Sequence, residues 1–190
     1  MTTEIEVISQ NRAAIQDLLT KAQDRIAAVL PGHIKVDRMI SVAMELIQGD
    51  SKLSLCEPVS IVKAVLEASQ LGLLLNKHLG HGYLVPFQNG ILTEKYKRPV
   101  YDAQFLIGYR GFVHLVMSDS PATSVYGRIV YAGEDFRILE GTEHKLTHVP
   151  SLEGRELKDY IGAYGVVIYK DGTPPDFEWM PKAEIDKVRA

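Results

Sequence analysis

The chain has 190 residues, of which 46% are apolar and 24% charged, with a net charge of −3 at neutral pH. That balance suits one soluble domain with a real core and argues against a generally basic protein that coats DNA; no run approaches the roughly 18 apolar residues of a membrane span. One cysteine, Cys56, excludes an intramolecular disulfide, and the acidic, polar start MTTEIEVISQN lacks the pattern of a signal peptide. A cytoplasmic protein is expected, spanning 1–190 as a single domain with 1–10 disordered.

The first clear element is a helix over 11–30. Ile15, Leu18, Leu19, Ala22, Ile26 and Val29 share one face at helical spacing, and Pro31-Gly32 ends it. A second helix is expected at about 35–48, with Ile40, Ala43, Met44 and Ile47 inward and Gly49-Asp50 as the break. The third carries the strongest signals. Pro58 suits a first helical turn, Ile61, Val62, Val65 and Leu66 make an apolar stripe, and Gly72 stands where a C-terminal glycine belongs. Small Ala64, Ala68 and Ser69 leave room for a close partner.

From Gly80 the period shortens. Tyr83 to Phe87 reads as a strand whose Pro86 points to an edge, and Asn89-Gly90 reads as a hairpin turn. A loop leads to a second strand at Val100–Ile107, and Phe112–Met117 is apolar enough for a short helix. Strands follow at 123–131, 134–139, 145–149, 160–169 and 177–180, then Pro181-Lys182-Ala183-Glu184 opens a last helix. The class is α+β: N-terminal helices followed by a mainly antiparallel β-sheet with an inserted helix.

The charge is uneven. Residues 76–131 carry six Lys/Arg against three Asp/Glu, whereas carboxylates outnumber cations on both sides. A local positive surface on an acidic body is what focused binding of a polyanion requires. Within it, Gly108-Tyr109-Arg110-Gly111 follows a strand, with Lys95, Lys97 and Arg98 just upstream. Arg110 can fork onto phosphate oxygens, and Tyr101, Tyr109 or Phe112 can stack on bases. Glycines on either side of Arg110 suit a sharp bend and close approach to a ligand. Lys77, Gln104 and Arg128 complete the candidate set. The bland alternative is a strand-to-helix turn beside a solvated basic loop.

Catalytic signals are sparse. His78/His81 and His144/His148 lack the helical context and third ligand of a zinc site, and no HExxH or CxxC occurs. There is no nucleophile elbow, P-loop or G-x-G-x-x-G. Glu134, Asp135 and His148 are the group a metal-dependent nuclease would use. No cofactor is implied; Mg²⁺ is compatible, but no motif demands it.

Several segments then fit one ordered pattern: Ala68-Ser69-Gln70-Leu71-Gly72-Leu73, Gly80-His81-Gly82-Tyr83-Leu84-Val85-Pro86-Phe87, Gln104 to Gly111, Val130 to Phe136, His148-Val149-Pro150 and Ala163-Tyr164. From about residue 25 to 190 the chain resembles the RecT family of phage single-strand annealing recombinases, in the RecT/Redβ superfamily. The resemblance implies ATP-independent binding of single-stranded DNA and annealing of complementary strands in homologous recombination. It also implies a Rad52-like annealing fold, a homo-oligomeric ring or helical filament, a 5′→3′ exonuclease partner and action in a bacterial host cell. The match at Gly108–Gly111 carries the DNA-binding role to Arg110. Family members continue beyond the segment matching Ala183–Ala190 with further helices, including a basic one, so a truncated C-terminal helical part is expected. The competing class is an oligomeric phage structural or assembly protein without DNA activity.

Overall fold

The computed structural model describes residues 4–119 and 121–189. The chain divides into two compact units, Met1–Leu115 and Val116–Ala190, where the sequence reading expects one domain.

The first unit is built around one helix. α1 (Glu4–Lys21) and α2 (Gln23–Val29) follow each other, with Ile15, Leu19 and Ile26 fully buried on the face their spacing marks. α1 starts inside the stretch expected to be disordered. Its polar side chains are engaged from a distance: Asn11 Nδ2 donates to the carbonyls of Ser54 (2.8 Å) and Cys56 (2.7 Å), and Arg12 Nε to Ser54 Oγ (2.9 Å). α3 (Val36–Gly49) buries Met39, Ala43, Met44 and Ile47. A one-turn helix, α4 (Ser51–Ser54), then starts where Asp50 accepts from the amides of Lys52 and Leu53. α5 (Pro58–Gln70) opens on Glu57, whose carboxylate accepts from Val59 and Ser60 N–H, with Pro58 in the first turn. Its Ala64, Ala68 and Ser69 are buried, and their small size lets α1, α2 and α3 pack on it together with a strand. Gly72 lies just past the helix at φ +64°, the left-handed conformation that ends helices without a Cβ clash.

That strand belongs to a hairpin. β1 (Gly82–Gln88) pairs antiparallel with β2 (Tyr101–Ile107), from Gly82 opposite Ile107 to Gln88 opposite Tyr101. Leu84, Ala103, Phe105 and Tyr101 face the helical core. Asn89-Gly90 is not a hairpin turn. Asn89 caps α6 (Gly90–Tyr96), accepting from Leu92 N (3.0 Å), and its amide donates to Asp102 Oδ2 (2.7 Å). Thr93 Oγ1 takes the Val100 N–H at 3.1 Å, so the insertion is pinned to the hairpin's end. Asparagine suits a helix cap as well as a type I′ turn, and these long-range bonds decide which forms.

α7 (Tyr109–Asp119) contains the division between the units. In the second unit β3 (Ala122–Tyr131), β6 (Tyr160–Tyr169) and β7 (Asp176–Pro181) form one antiparallel sheet in the order β3-β6-β7. β4 (Asp135–Leu139) and β5 (Lys145–Val149) form a separate antiparallel hairpin, and α8 (Lys182–Arg189) packs on β6 and β7. A small core of Val130, Tyr164 and Val166 lies under Phe136, Leu146, Phe177 and Trp179. Gly162 is required there, because the Trp179 ring occupies the space a Cβ would take. The α+β class holds, with three separate antiparallel sheets among the described residues instead of one.

Candidate nucleic-acid interface

The Gly108–Gly111 segment meets β1 and β2 at the open end of the hairpin. The Gly108 amide donates to the His81 carbonyl (2.9 Å), and Gly108 O accepts from Gly111 (2.8 Å) and Phe112 (3.1 Å), which starts α7 at once. Neither glycine has a positive φ. A Cβ on Gly108 would overlap the Gly80 carbonyl, and one on Gly111 the His81 carbonyl. The close approach that these glycines allow is therefore to the chain's own backbone, not to a ligand. Their effect is to fix Arg110 on the first turn of α7.

Arg110 is exposed. Its stem runs past Gly80, and its Nη1 donates to the His78 carbonyl at 3.3 Å. Lys77 and His78 sit in the same turn, which Asn76 Oδ1 organises by accepting from His78 N (2.8 Å) and Leu79 N (3.3 Å). Lys77 is exposed, as are the rings of Tyr109 (63%) and Phe112 (56%). His81 and His114 stack at 4.6 Å beneath this turn. Burial holds the His81 pKa below its ordinary value, helped by His114 and by the Arg110 charge. The cationic character here comes from Arg110 and Lys77, at the positive end of the α7 dipole.

Lys95, Lys97 and Arg98 are elsewhere. They close α6 at the other end of the hairpin, and seven residues of strand separate the two cationic groups by about 20 Å at ~3.4 Å per residue. Lys95 Nζ lies 5.3 Å and the Arg98 guanidinium 5.7 Å from the centre of the Tyr96 ring. Lys97 is the one non-glycine residue with positive φ (53°) among the described residues, forming a left-handed cap.

Between these ends lies the outer face of the hairpin: Tyr83 opposite Leu106, Val85 opposite Gln104, Phe87 opposite Asp102. Tyr83, Phe87 and Leu106 are each more than two-fifths exposed. Gln104 is exposed too, but it borders a groove carrying Glu57, Glu67 and Asp102, surroundings that repel phosphate. Tyr101 faces inward against the helical core, and its amide and carbonyl bond Leu55 and Glu57. Its ring has far less open surface than Tyr109. Sequence reasoning missed Tyr83 and Phe87 as stacking candidates, although their alternation with Leu84 was visible.

Arg128 belongs to the second unit, on β3, with its guanidinium 4.9 Å from the Tyr126 ring centre and Nη1 donating to Gly127 O (3.0 Å). The structure also joins Glu134 and His148. One Glu134 oxygen accepts from Tyr131 N and meets His148 Nε2 (both 2.9 Å); the other accepts from Ser151 N (2.9 Å) and Arg155 Nε (3.0 Å). His148 Nδ1 lies 3.1 Å from Tyr164 Oη. Burial alone would push the Glu134 pKa up, but it is outweighed by the Tyr131 amide, His148, the Ser151 amide and the Arg155 charge, which together bring it down to about 2. A metal ion would have to displace four donors from this carboxylate. Asp135 points to Arg137 (2.9 Å), and no group of three or more His, Cys, Asp or Glu is placed to hold a metal among the described residues. The arrangement is a fastening of the 150–155 loop to the small core.

A family model described as "RecT family" matches residues 37–190. Protein RecT of Escherichia coli (strain K12) is 34% identical over 168 residues, covering 88% of this chain and 60% of that protein. The uncharacterized protein YqaK of Bacillus subtilis (strain 168) is 24% identical over 91 residues, 48% of this chain and 28% of that protein. The chain thus spans about three-fifths of the length of the RecT protein it matches. Among the described residues no helix is long and apolar enough to cross a membrane.

Proposed function

The chain belongs to the RecT family, and on that premise we propose that it binds single-stranded DNA and anneals complementary strands without a nucleotide cofactor. The observation that carries this reading is the exposed Arg110–Lys77 pair at the N-terminal end of α7, with Tyr109 beside it and the apolar outer face of the hairpin leading away. Arg110 forks a phosphate, Lys77 neutralises its neighbour, and Tyr83, Phe87 and Tyr109 offer stacking surfaces that tolerate any base. Annealing is downhill once complementary bases meet, so the protein needs only to hold a strand extended. No bond is made or broken by the protein, and no catalytic group is required. A Rad52-like annealing fold, assembly into rings or filaments and a 5′→3′ exonuclease partner complete the proposal, in the cytoplasm of a bacterial host.

Phosphate contact predicts a salt slope of about −0.7 per phosphate on single strands. The test is titration of a labelled, unstructured oligonucleotide at several salt concentrations, followed by strand annealing without ATP. Arg110→Ala should weaken binding roughly tenfold or more, taking ~1.5–3 kcal/mol for a charged hydrogen bond, and flatten the slope by about 0.7. No binding by the native chain at low salt would leave the non-DNA assembly reading standing. Unchanged affinity and slope in folded Arg110→Ala would remove Arg110 from the site.

A further inference from the structure

Two surface features of the first unit have no role in holding DNA through Arg110. One is a groove of about 420 Å³ between α5 and the edge of β2. Glu57, Glu67 and Asp102 line it against a single cation, Lys63, and Val59 and Phe105 supply apolar wall. The edge itself is open along part of its length. Tyr101 bonds Leu55 and Glu57 through its backbone, and the Ala103 amide donates to Ser60 Oγ (2.9 Å). Alternate residues of a strand aim both backbone groups to the same side, so Phe105 directs its amide and carbonyl to this edge. Among the described residues no strand lies beside it, because the sheet has only β1 and β2. An open strand edge of this kind is a template for pairing with another chain.

The other feature is the insertion 90–98. Ile91 is 83% and Tyr96 52% exposed, so both apolar side chains are open to a partner. Lys95 and Arg98 lie over the Tyr96 ring and Lys97 follows it in sequence, against a lone Glu94. Asn89 bonds Asp102 on the groove's rim and Thr93 bonds Val100, which hold this insertion at the hairpin's end beside the groove, and none of residues 90–98 lines it.

We propose that the insertion of one copy docks in the α5–β2 groove of a second copy. The charges complement each other, with three carboxylates and one lysine in the groove facing three cations and one glutamate on the insertion. Tyr96 and Ile91 meet Val59 and Phe105, and the Lys97–Arg98–Pro99 segment lies along the open edge of β2. Each copy carries both halves, which adjoin at Asp102 without the insertion filling its own groove, so the contact between copies is head-to-tail and propagates into a ring or a helical array. The proposal extends the assembly part of the proposed function and holds or fails without DNA. It also assigns Lys95, Lys97 and Arg98 to affinity through the array.

The experiment is sedimentation of the whole chain without DNA, across a wide concentration range. The native chain should assemble with rising concentration. Glu67→Lys neutralises the groove, and Lys95→Glu with Arg98→Glu reverses the insertion; each variant alone should associate at least tenfold more weakly, with an unchanged circular-dichroism spectrum. In an equimolar mixture the intact insertion of the first fits the intact groove of the second, so heterodimers should form and growth should stop there. Arg110→Ala should assemble like the native chain while binding DNA roughly tenfold or more weakly, which separates failure of this contact from failure of the DNA reading. A native chain that stays monomeric at the highest concentration overturns the proposal. So does native-like assembly of either variant, or a mixture that remains monomeric.

Discussion

Replacing Glu134 with glutamine keeps the shape of the side chain and removes the charge that Tyr131, Ser151, His148 and Arg155 converge on. The Glu134 side chain is 1% exposed and that of His148 6%. A neutral amide offers one acceptor oxygen where the carboxylate offers two, so at least one buried donor loses its partner and the Arg155 charge is left uncompensated. The expected cost to the second unit at pH 7 is about 2–4 kcal/mol, between an unsatisfied buried donor and a broken buried ion pair. The pH dependence has a definite sign. The folded pKa of Glu134 is depressed from 4.5 to about 2, so its contribution is present above pH 4.5 and is lost as pH falls from there through about 2. Glu134→Gln should therefore be less stable than the native chain at pH 7 and should lack this component of the acid loss. Trp179 provides the assay. It is the one tryptophan in the chain and lies 4.5 Å from Phe136 in the same small core, so its fluorescence follows this unit in a denaturant titration. Equal midpoints at pH 7, or an equal fall of both midpoints between pH 4.5 and 2.5, would refute the reasoning.

Other outcomes follow from the first unit. Gly111→Ala should cost about 1–3 kcal/mol in chemical unfolding despite alanine's better helix propensity, because the added methyl meets the His81 carbonyl and Ile107; a neutral or stabilising result would contradict the close packing. Lys97→Gly should stabilise by roughly 1 kcal/mol by relieving its left-handed backbone, and a loss of stability would show that the lysine side chain matters more than its φ. Asn89→Ala should cost about 1–2 kcal/mol, since the residue caps α6 and also ties it to Asp102; an unchanged midpoint would mean that α6 needs neither bond. Cys56 is fully buried, and burial, then Asp102 and Asp50, pushes its thiol up to about 12. Alkylation at pH 8 should accordingly wait for unfolding of this unit, and rapid labelling of the native chain would place the thiol at the surface.

Much of the architecture follows from local pattern. The face of Ile15, Leu19 and Ile26, the Pro58 start of α5, the left-handed Gly72 and the strands of both units are fixed by periodicity and by what proline and glycine permit. These are short-range constraints, so the sequence displays them. Whether Asn89-Gly90 turns a hairpin or caps a helix is not such a constraint. Asp102 and Val100, several residues downstream, settle it through hydrogen bonds that only the folded hairpin brings into reach. The same holds for Asn11 in the middle of α1, engaged by Ser54 and Cys56, and for Glu134 with His148, joined by β4–β5 pairing.

The cationic stretch divides along this line. Its charge, its glycines and its family pattern are properties of the sequence by itself, and they single out Arg110. The strand that separates Lys95, Lys97 and Arg98 from Arg110 was legible too; tertiary structure alone decided that the three close a capped helical insertion pinned to the hairpin's far end, and that Gly108 and Gly111 serve the chain's own packing. Charge is additive along a sequence, whereas a site depends on distance, and a seven-residue strand is enough to turn one apparent cluster into two.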